Sequence, residues 1–346
     1  LSHGNEKLQN YFSYANTTGH GIIGKHNLSK HNLTFRETSV LLNSRLKLDG
    51  SMNLMRQVVK NKPTVGGFYM NPLVGLYRFP RGEDIAYYKE NFEVYDEGRN
   101  LNIQNWHTSY EDFEQNPYWI TNRILSKENR MHVIVSLSAN LKINDWLSLQ
   151  ARGNVDYIND KVRQQFYAST APALAGANGR YIEMDYQETQ YYGDAILMMK
   201  KQWDAFSLNA ALGVSINDKT VNSTRYDSKT ASLKYANVFN LANIIMNGSA
   251  GLDQKIDARR QLQSLFATAQ LGYNEFVYLD LSARNDWSST LAYTSHEKSG
   301  FFYPSVGFSL IFNKLMTLPR WVSLAKIRGA YSICLLYTSD AADEAR

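Results

Sequence analysis

Three absences narrow the reading of this 346-residue chain. A single cysteine, Cys334, excludes an intramolecular disulfide framework and a cysteine-based zinc site. No stretch approaches 18 consecutive apolar residues, which excludes transmembrane helices. Basic residues exceed acidic ones by five but are scattered rather than grouped, which argues against nucleic-acid binding. A Gly-rich phosphate loop is also missing. His26 and His31 are five apart, where a helical zinc pair needs four and a carboxylate, so no metal site is read there. No catalytic constellation stands out, and the expectation is a non-enzyme without a cofactor. The chain starts at Leu1 without a methionine or signal peptide, as a fragment would.

What is present is strict alternation. Over 133–143, Val133, Val135, Leu137, Ala139, Leu141 and Ile143 fall on one face and Ser136, Ser138, Asn140 and Lys142 on the other. After a turn at Asn144-Asp145 the pattern resumes, with Leu147, Leu149, Ala151, Gly153, Val155 and Tyr157 opposite Ser148, Gln150, Arg152, Asn154 and Asp156. A period of two puts the two sets on opposite faces of a strand. Each run has about the ten residues that a tilted strand needs to cross a bilayer. In such a strand the apolar face meets lipid and the polar face a lumen. A mean hydropathy of −0.41 does not conflict with this, because half of each strand is polar.

The spacing predicts about eleven strands: 8–16, 28–37, 45–60, 133–143, 147–157, 180–201, 205–218, 265–273, 277–284, 302–313 and 321–332. A long segment over roughly 61–126 carrying Gly, Pro, aromatic and acidic residues, a loop rich in Ala, Gly and Pro over 170–179 and a polar segment over 219–259 separate some of them, and short turns separate others. In transmembrane barrels short turns face the periplasm and long loops the exterior. Trp146, Trp203, Tyr273, Phe276, Phe312 and Trp321 lie near short turns, where an interfacial aromatic girdle belongs. A soluble all-β protein with core aromatics is the alternative.

Several segments carry a family resemblance. Ser264–Tyr273 and the run from Tyr278 through Arg284-Asn-Asp286-Trp-Ser288-Ser289 resemble the barrel of SusC/RagA-type TonB-linked outer-membrane proteins of Bacteroidetes. So do Tyr303-Pro-Ser-Val306, with Tyr where the family has Phe, and Lys326-Ile-Arg328-Gly-Ala-Tyr331-Ser332. Asn116-Pro-Tyr-Trp119 and Asp145–Arg152 are similar to it as well. No single motif is decisive; the series in order is the signal. The resemblance covers most of residues 1–332 and implies an all-β, transmembrane antiparallel β-barrel. About eleven strands would be half of a 22-stranded barrel, an open curved sheet lacking the plug and the C-terminal strands. Residues 333–346 depart from the family and resemble a translated sequencing-adaptor tail, which would make Cys334 non-native.

The resemblance implies import of glycans or peptides, powered through TonB and shared with a SusD-like surface lipoprotein, in the outer membrane. A non-transporting receptor or adhesin and a passive porin are the alternatives. Trp106, Tyr118 and Trp119 are candidates to stack on cargo or close the barrel mouth, or simply to pack a long loop. Arg152, Asp156, Asp280 and Arg284 are expected on the lumen side, as wall-to-plug contacts or solvated charges before cargo ligands. Asp286, Ser288 and Ser289 are read as fixing a strand end. The acidic stretch 110–114 is a candidate Ca²⁺ chelator, or a solvated loop.

Overall fold

The computed structural model describes residues 1–64, 69–108, 114–229, 233–246, 251–295, 300–316, 318, 319 and 321–333. Cys334 and all of the expected tail except Ile333 lie outside the described residues, as does all of the acidic stretch except Glu114.

Alternation builds one antiparallel sheet of twelve strands. These are β1 (Ser2–Gly4), β2 (Leu8–His20), β3 (Asn27–Leu41), β4 (Leu46–Lys60), β7 (Ile124–Lys142), β8 (Leu147–Phe166), β9 (Arg180–Trp203), β10 (Phe206–Asp227), β11 (Gly251–Tyr273), β12 (Val277–Ser288), β13 (Phe301–Ile311) and β14 (Lys326–Ser332). Among the described residues each pairs only with its neighbours in that order and the sheet does not close, with β1 and β14 at its edges. The eleven expected strands are all present, and the three-residue β1 is the twelfth. Between β4 and β7 lies a lobe containing α1 (Pro72–Arg78), α2 (Ile85–Glu90), the hairpin β5 (Glu93–Asp96) and β6 (Leu101–Gln104), and α3 (Pro117–Arg123). Among the described residues no helix is long and apolar enough to cross a membrane.

Local chemistry sets the turns. Asn144 accepts the amides of Trp146 and Leu147 at 3.0 and 2.9 Å, closing β7 onto β8. Asn274 and Glu275 both adopt positive φ, as the central residues of a type I′ hairpin turn must.

Five of the strands are far longer than ten residues: β7 to β11 have 19, 20, 24, 22 and 23. At about 3.3 Å per residue, β9 reaches roughly 80 Å, so even a steep tilt carries it well past a hydrocarbon core of about 30 Å. The side chains mark where the apolar section ends. Register puts Val155 of β8 beside Tyr191 of β9 and Val135 of β7, and below them lie Leu137, Ala195, Leu212, Leu265 and Leu281 on the same face. From that row upward the same face turns ionic: Asp218, in register with Tyr191, pairs with Arg259, and higher up Lys161 pairs with Asp185 and Arg163 with Glu183. The apolar section is thus five or six alternate positions deep, the depth a tilted strand needs to span a bilayer. Within it large side chains are bare, Leu137 at 60% and Leu212 at 53% exposure, which is not a surface that water tolerates over this extent.

At the short-turn end the apolar face finishes in aromatics. Phe206 packs on Tyr273 at 4.9 Å between ring centroids, and Tyr273 on Phe276 at 5.6 Å. Lys201 reaches its ammonium over Trp146 and Trp203, 5.3 Å from each ring, in the manner of a cation snorkelling along an interface.

Candidate functional site

The polar face and the lobe at its long-loop end form the candidate site. All four charges expected on the lumen side share that face. Arg152 lies in register with Asp194, Asp194 with Ser215, Ser215 with Ser264, and Ser264 with Asp286, one row across five strands. Arg284 sits one step along from Asp286 on β12 and donates to both Asp286, at 2.8 Å, and Ser264, at 2.7 Å. Asp156 is four residues above Arg152, bound to His132 at 2.7 Å. Asp280 lies toward the short-turn end and accepts from Gln270 at 2.7 Å.

These charges are not free ligands. The Arg152 guanidinium clasps Asp194 through Nε and Nη2, at 3.0 and 2.7 Å, and the Tyr192 hydroxyl donates to the same carboxylate at 2.7 Å. Asp194 is buried by these partners. Nearer the long-loop end, Arg130 holds Asp160 in a two-bonded pair at 2.7 and 2.6 Å, and Lys219 holds Glu188 at 2.6 Å. Charge on this wall is therefore neutralised locally, and tyrosine hydroxyls fill remaining acceptor sites. Sequence reasoning missed Asp194, Asp160, Glu188 and Lys219, because pairing partners on a sheet are fixed by register, which one strand does not reveal.

Gly213 allows a close approach on this face. A Cβ on Gly213 would lie 2.3 Å from the Phe266 ring, so the ring covers bare backbone there. The Arg284 guanidinium lies 5.4 Å from that ring's centroid. Toward the short-turn end, a cavity of about 840 Å³ is lined by polar and small side chains including Asn209, Thr268, Gln270, Asp280, Ser282 and Ser305.

The lobe starts its helices with matching devices: Asn71 before Pro72, and Asn116 before Pro117, each asparagine side chain accepting a first-turn amide. Buried amides then tie the lobe to the loop between β8 and β9. Gln104 donates its backbone amide to Ser169 Oγ at 2.9 Å, Gln115 accepts the Ala171 amide at 2.8 Å, and Asn116 donates its amide to Gln104 Oε1 at 2.7 Å. Arg123 bonds both Glu93 oxygens at 2.7 Å, and that carboxylate raises the already high pKa of its guanidinium. Beneath, Phe166 and Ile182 of the polar face pack with Met70, Ile124, Leu174 and Ala175, so the lobe is seated on the wall. Gly75 permits one close approach, since a Cβ there would meet the Gln115 carbonyl oxygen at 2.6 Å.

The three candidate aromatics all belong to this lobe. Trp119 is 1% exposed and its indole N–H donates to Thr170 Oγ1 at 3.1 Å. Trp106 is nearly as buried, packed with Phe79, Tyr88 and His107 at 5.3, 5.2 and 4.7 Å. Tyr118 is half-buried and alone of the three keeps an accessible side chain. Of the acidic stretch, Glu114 is buried between Arg78, at 3.1 Å, and His107, at 3.2 Å. Among the described residues no group of three or more His, Cys, Asp or Glu could hold a metal ion.

No family model matches the chain, and no curated protein matches it. Solved structures do. The RagAB peptide transporter superposes with a TM-score of 0.70 at 18% identity, covering 96% of this chain and 36% of that one. The RagAB peptide importer in its open-open state gives 0.65 at 17% identity, covering 96% and 35%. FpvA of P. aeruginosa bound to a heterologous pyoverdine gives 0.54 at 13% identity, covering 88% and 36%. At these identities the likeness shows the fold alone: the open sheet superposes on part of the β-barrels of those structures, and the chain spans 36% of the first of them.

Proposed function

We propose that this chain is a wall segment of a TonB-dependent outer-membrane importer that takes up glycans or peptides with a SusD-like surface lipoprotein. The observation that carries the reading is the two-faced sheet. It joins an apolar section of bilayer depth, an aromatic belt at the short-turn end and a charge-paired polar face, in a fold like that of the RagAB peptide transporter. In this reading the short turns face the periplasm and the lobe and long strand extensions stand outside. The SusD-like lipoprotein covers that outer end, and the polar face surrounds a plug supplied by the rest of the protein. TonB pulls on the plug, because an outer membrane has no nucleotide pool to power release.

The wall chemistry supports a cargo rich in hydrogen-bonding groups. Pairing Arg152 with Asp194, Arg130 with Asp160 and Lys219 with Glu188 leaves little uncompensated charge along the path, so amides and hydroxyls are matched and neither sign of ion is repelled. Of the three candidate aromatics, Tyr118 is the one whose side chain is accessible enough to offer such a cargo a ring. A clean deletion of the complete gene tests the proposal. Uptake of at least one labelled oligosaccharide or oligopeptide is expected to fall; undiminished uptake of every one contradicts it.

A further inference from the structure

Where its apolar section ends, the apolar face gives way to a basic one on β4, β7 and β8. Upward from the row of Leu54 and Val133, this face carries Arg56 and Lys60 on β4, Lys127 on β7, and Lys161 and Arg163 on β8, and its other positions there hold no carboxylate. Register sets Lys60 beside Lys127, and Lys127 beside Arg163, three cations abreast. Like charges directly opposite one another on a sheet are destabilising. Acids reach the patch from β9 alone: Glu183 holds Arg163 at 3.0 Å, and Asp185 holds Lys161 at 3.4 Å. Among the described residues the side chains of Arg56, Lys60 and Lys127 have no ion-pair or hydrogen-bond partner, and all three are exposed. On β10 and β11, by contrast, Asp218 and Arg259 neutralise each other.

We propose that this patch binds the phosphate-bearing sugar headgroup of an anionic glycolipid in the outer leaflet. The inference rests on the apolar face being lipid-facing with the long loops outside, as proposed above. Charge selects an anion, since the repulsion between Lys60 and Lys127 is relieved only by negative charge set between them. Depth selects the kind of lipid. At about 3.3 Å per residue and a tilt of about 45°, Arg56 stands roughly 5 Å above the row of Leu54, and Lys60 roughly 14 Å above it. A phospholipid headgroup layer is about 5–8 Å deep, so its single phosphate meets Arg56 and leaves the lysine row in water. A headgroup built of sugars continues upward and carries further phosphate to Lys60 and Lys127. The Arg56 guanidinium suits a two-bonded grip on the lower phosphate, and the two ammonium groups act as point charges on the upper one.

The test uses the complete protein in phosphatidylcholine nanodiscs doped with lipid A, a phosphorylated glucosamine lipid. Retained lipid is read by native mass spectrometry, and barrel insertion by heat-dependent gel migration on the same samples. Wild type is expected to retain lipid A in preference to phosphatidylglycerol and to phosphatase-treated lipid A, and less of it as salt is raised. Lys60→Gln with Lys127→Gln is expected to weaken retention by about tenfold or more, while Lys60→Arg with Lys127→Arg, which keeps both charges, preserves it. An inserted barrel that holds lipid A equally well in the glutamine variant, or holds the phosphatase-treated lipid or phosphatidylglycerol as well as lipid A, overturns the inference alone. So does release of lipid A by inorganic phosphate at matched ionic strength, the mark of a site for the free ion. A chain that does not insert overturns the lipid-facing reading on which the inference rests.

Discussion

Arg152 and Asp194 show how a charge is made tolerable inside this wall. Asp194 is buried, and three hydrogen bonds from Arg152 and one from Tyr192 replace the water it has lost. Arg152→Leu strands that carboxylate and is expected to destabilise the protein by about 2 kcal/mol, read as an earlier urea-unfolding midpoint. The double variant Arg152→Leu with Asp194→Leu recovers part of the loss, because the uncompensated charge is gone. Trp119 is the corresponding residue in the lobe. Removing a fully buried indole opens a cavity, so Trp119→Ala is expected to cost about 3–5 kcal/mol. The loss falls on the lobe: limited proteolysis should cut within 61–123 sooner, while heat-dependent migration of the barrel stays unchanged. Tyr118→Ala, at an accessible ring, should leave proteolysis unchanged.

At the level of elements, sequence legibility tracks the solvent. In the proposed reading a strand with lipid on one side is forced to alternate, and the expected strands over 45–60 and 147–157 lie on β4 and within β8. Where strands rise into water on both sides, the contrast disappears. The expected strands 133–143, 205–218 and 265–273 therefore stop at the edge of the apolar section, while β7, β10 and β11 continue by about ten residues through Lys127, Thr220 or Arg259. The lobe was illegible for a different reason. Helices of six or seven residues are too short to show a 3.6-residue period, although Asn-Pro at 71–72 and 116–117 was a usable cap signal. Of the candidate site, the face of Arg152, Asp156, Asp280 and Arg284 could be read from one strand at a time, but their partners could not. A depth test follows. Val135→Arg, inside the apolar section, is expected to cost about 2–4 kcal/mol of barrel stability, whereas Lys161→Leu, above it, should change stability by less than about 1 kcal/mol. Equal effects at both positions would place the bilayer elsewhere.

For the whole molecule, the open sheet sets the limits. Among the described residues β1 and β14 are unpaired edges, and hydrocarbon does not tolerate such backbone groups, so the proposed membrane reading needs further strands to close the barrel. The 346-residue segment expressed alone is expected to aggregate rather than insert, seen as no heat-dependent migration. In the proposed reading the long strands and seated lobe raise the wall far above the bilayer, and that outer rim is where the SusD-like lipoprotein docks. A passive pore needs no such rim and no energy; an importer driven from the inner membrane needs both.

Energy dependence is therefore the direct test. Uptake of labelled oligosaccharides and oligopeptides should be measured in cells carrying the complete gene, with and without TonB. The account predicts uptake that requires both the gene and TonB and stops when the proton gradient is collapsed. Gene-dependent uptake that continues unchanged without TonB would contradict it and leave a passive pore.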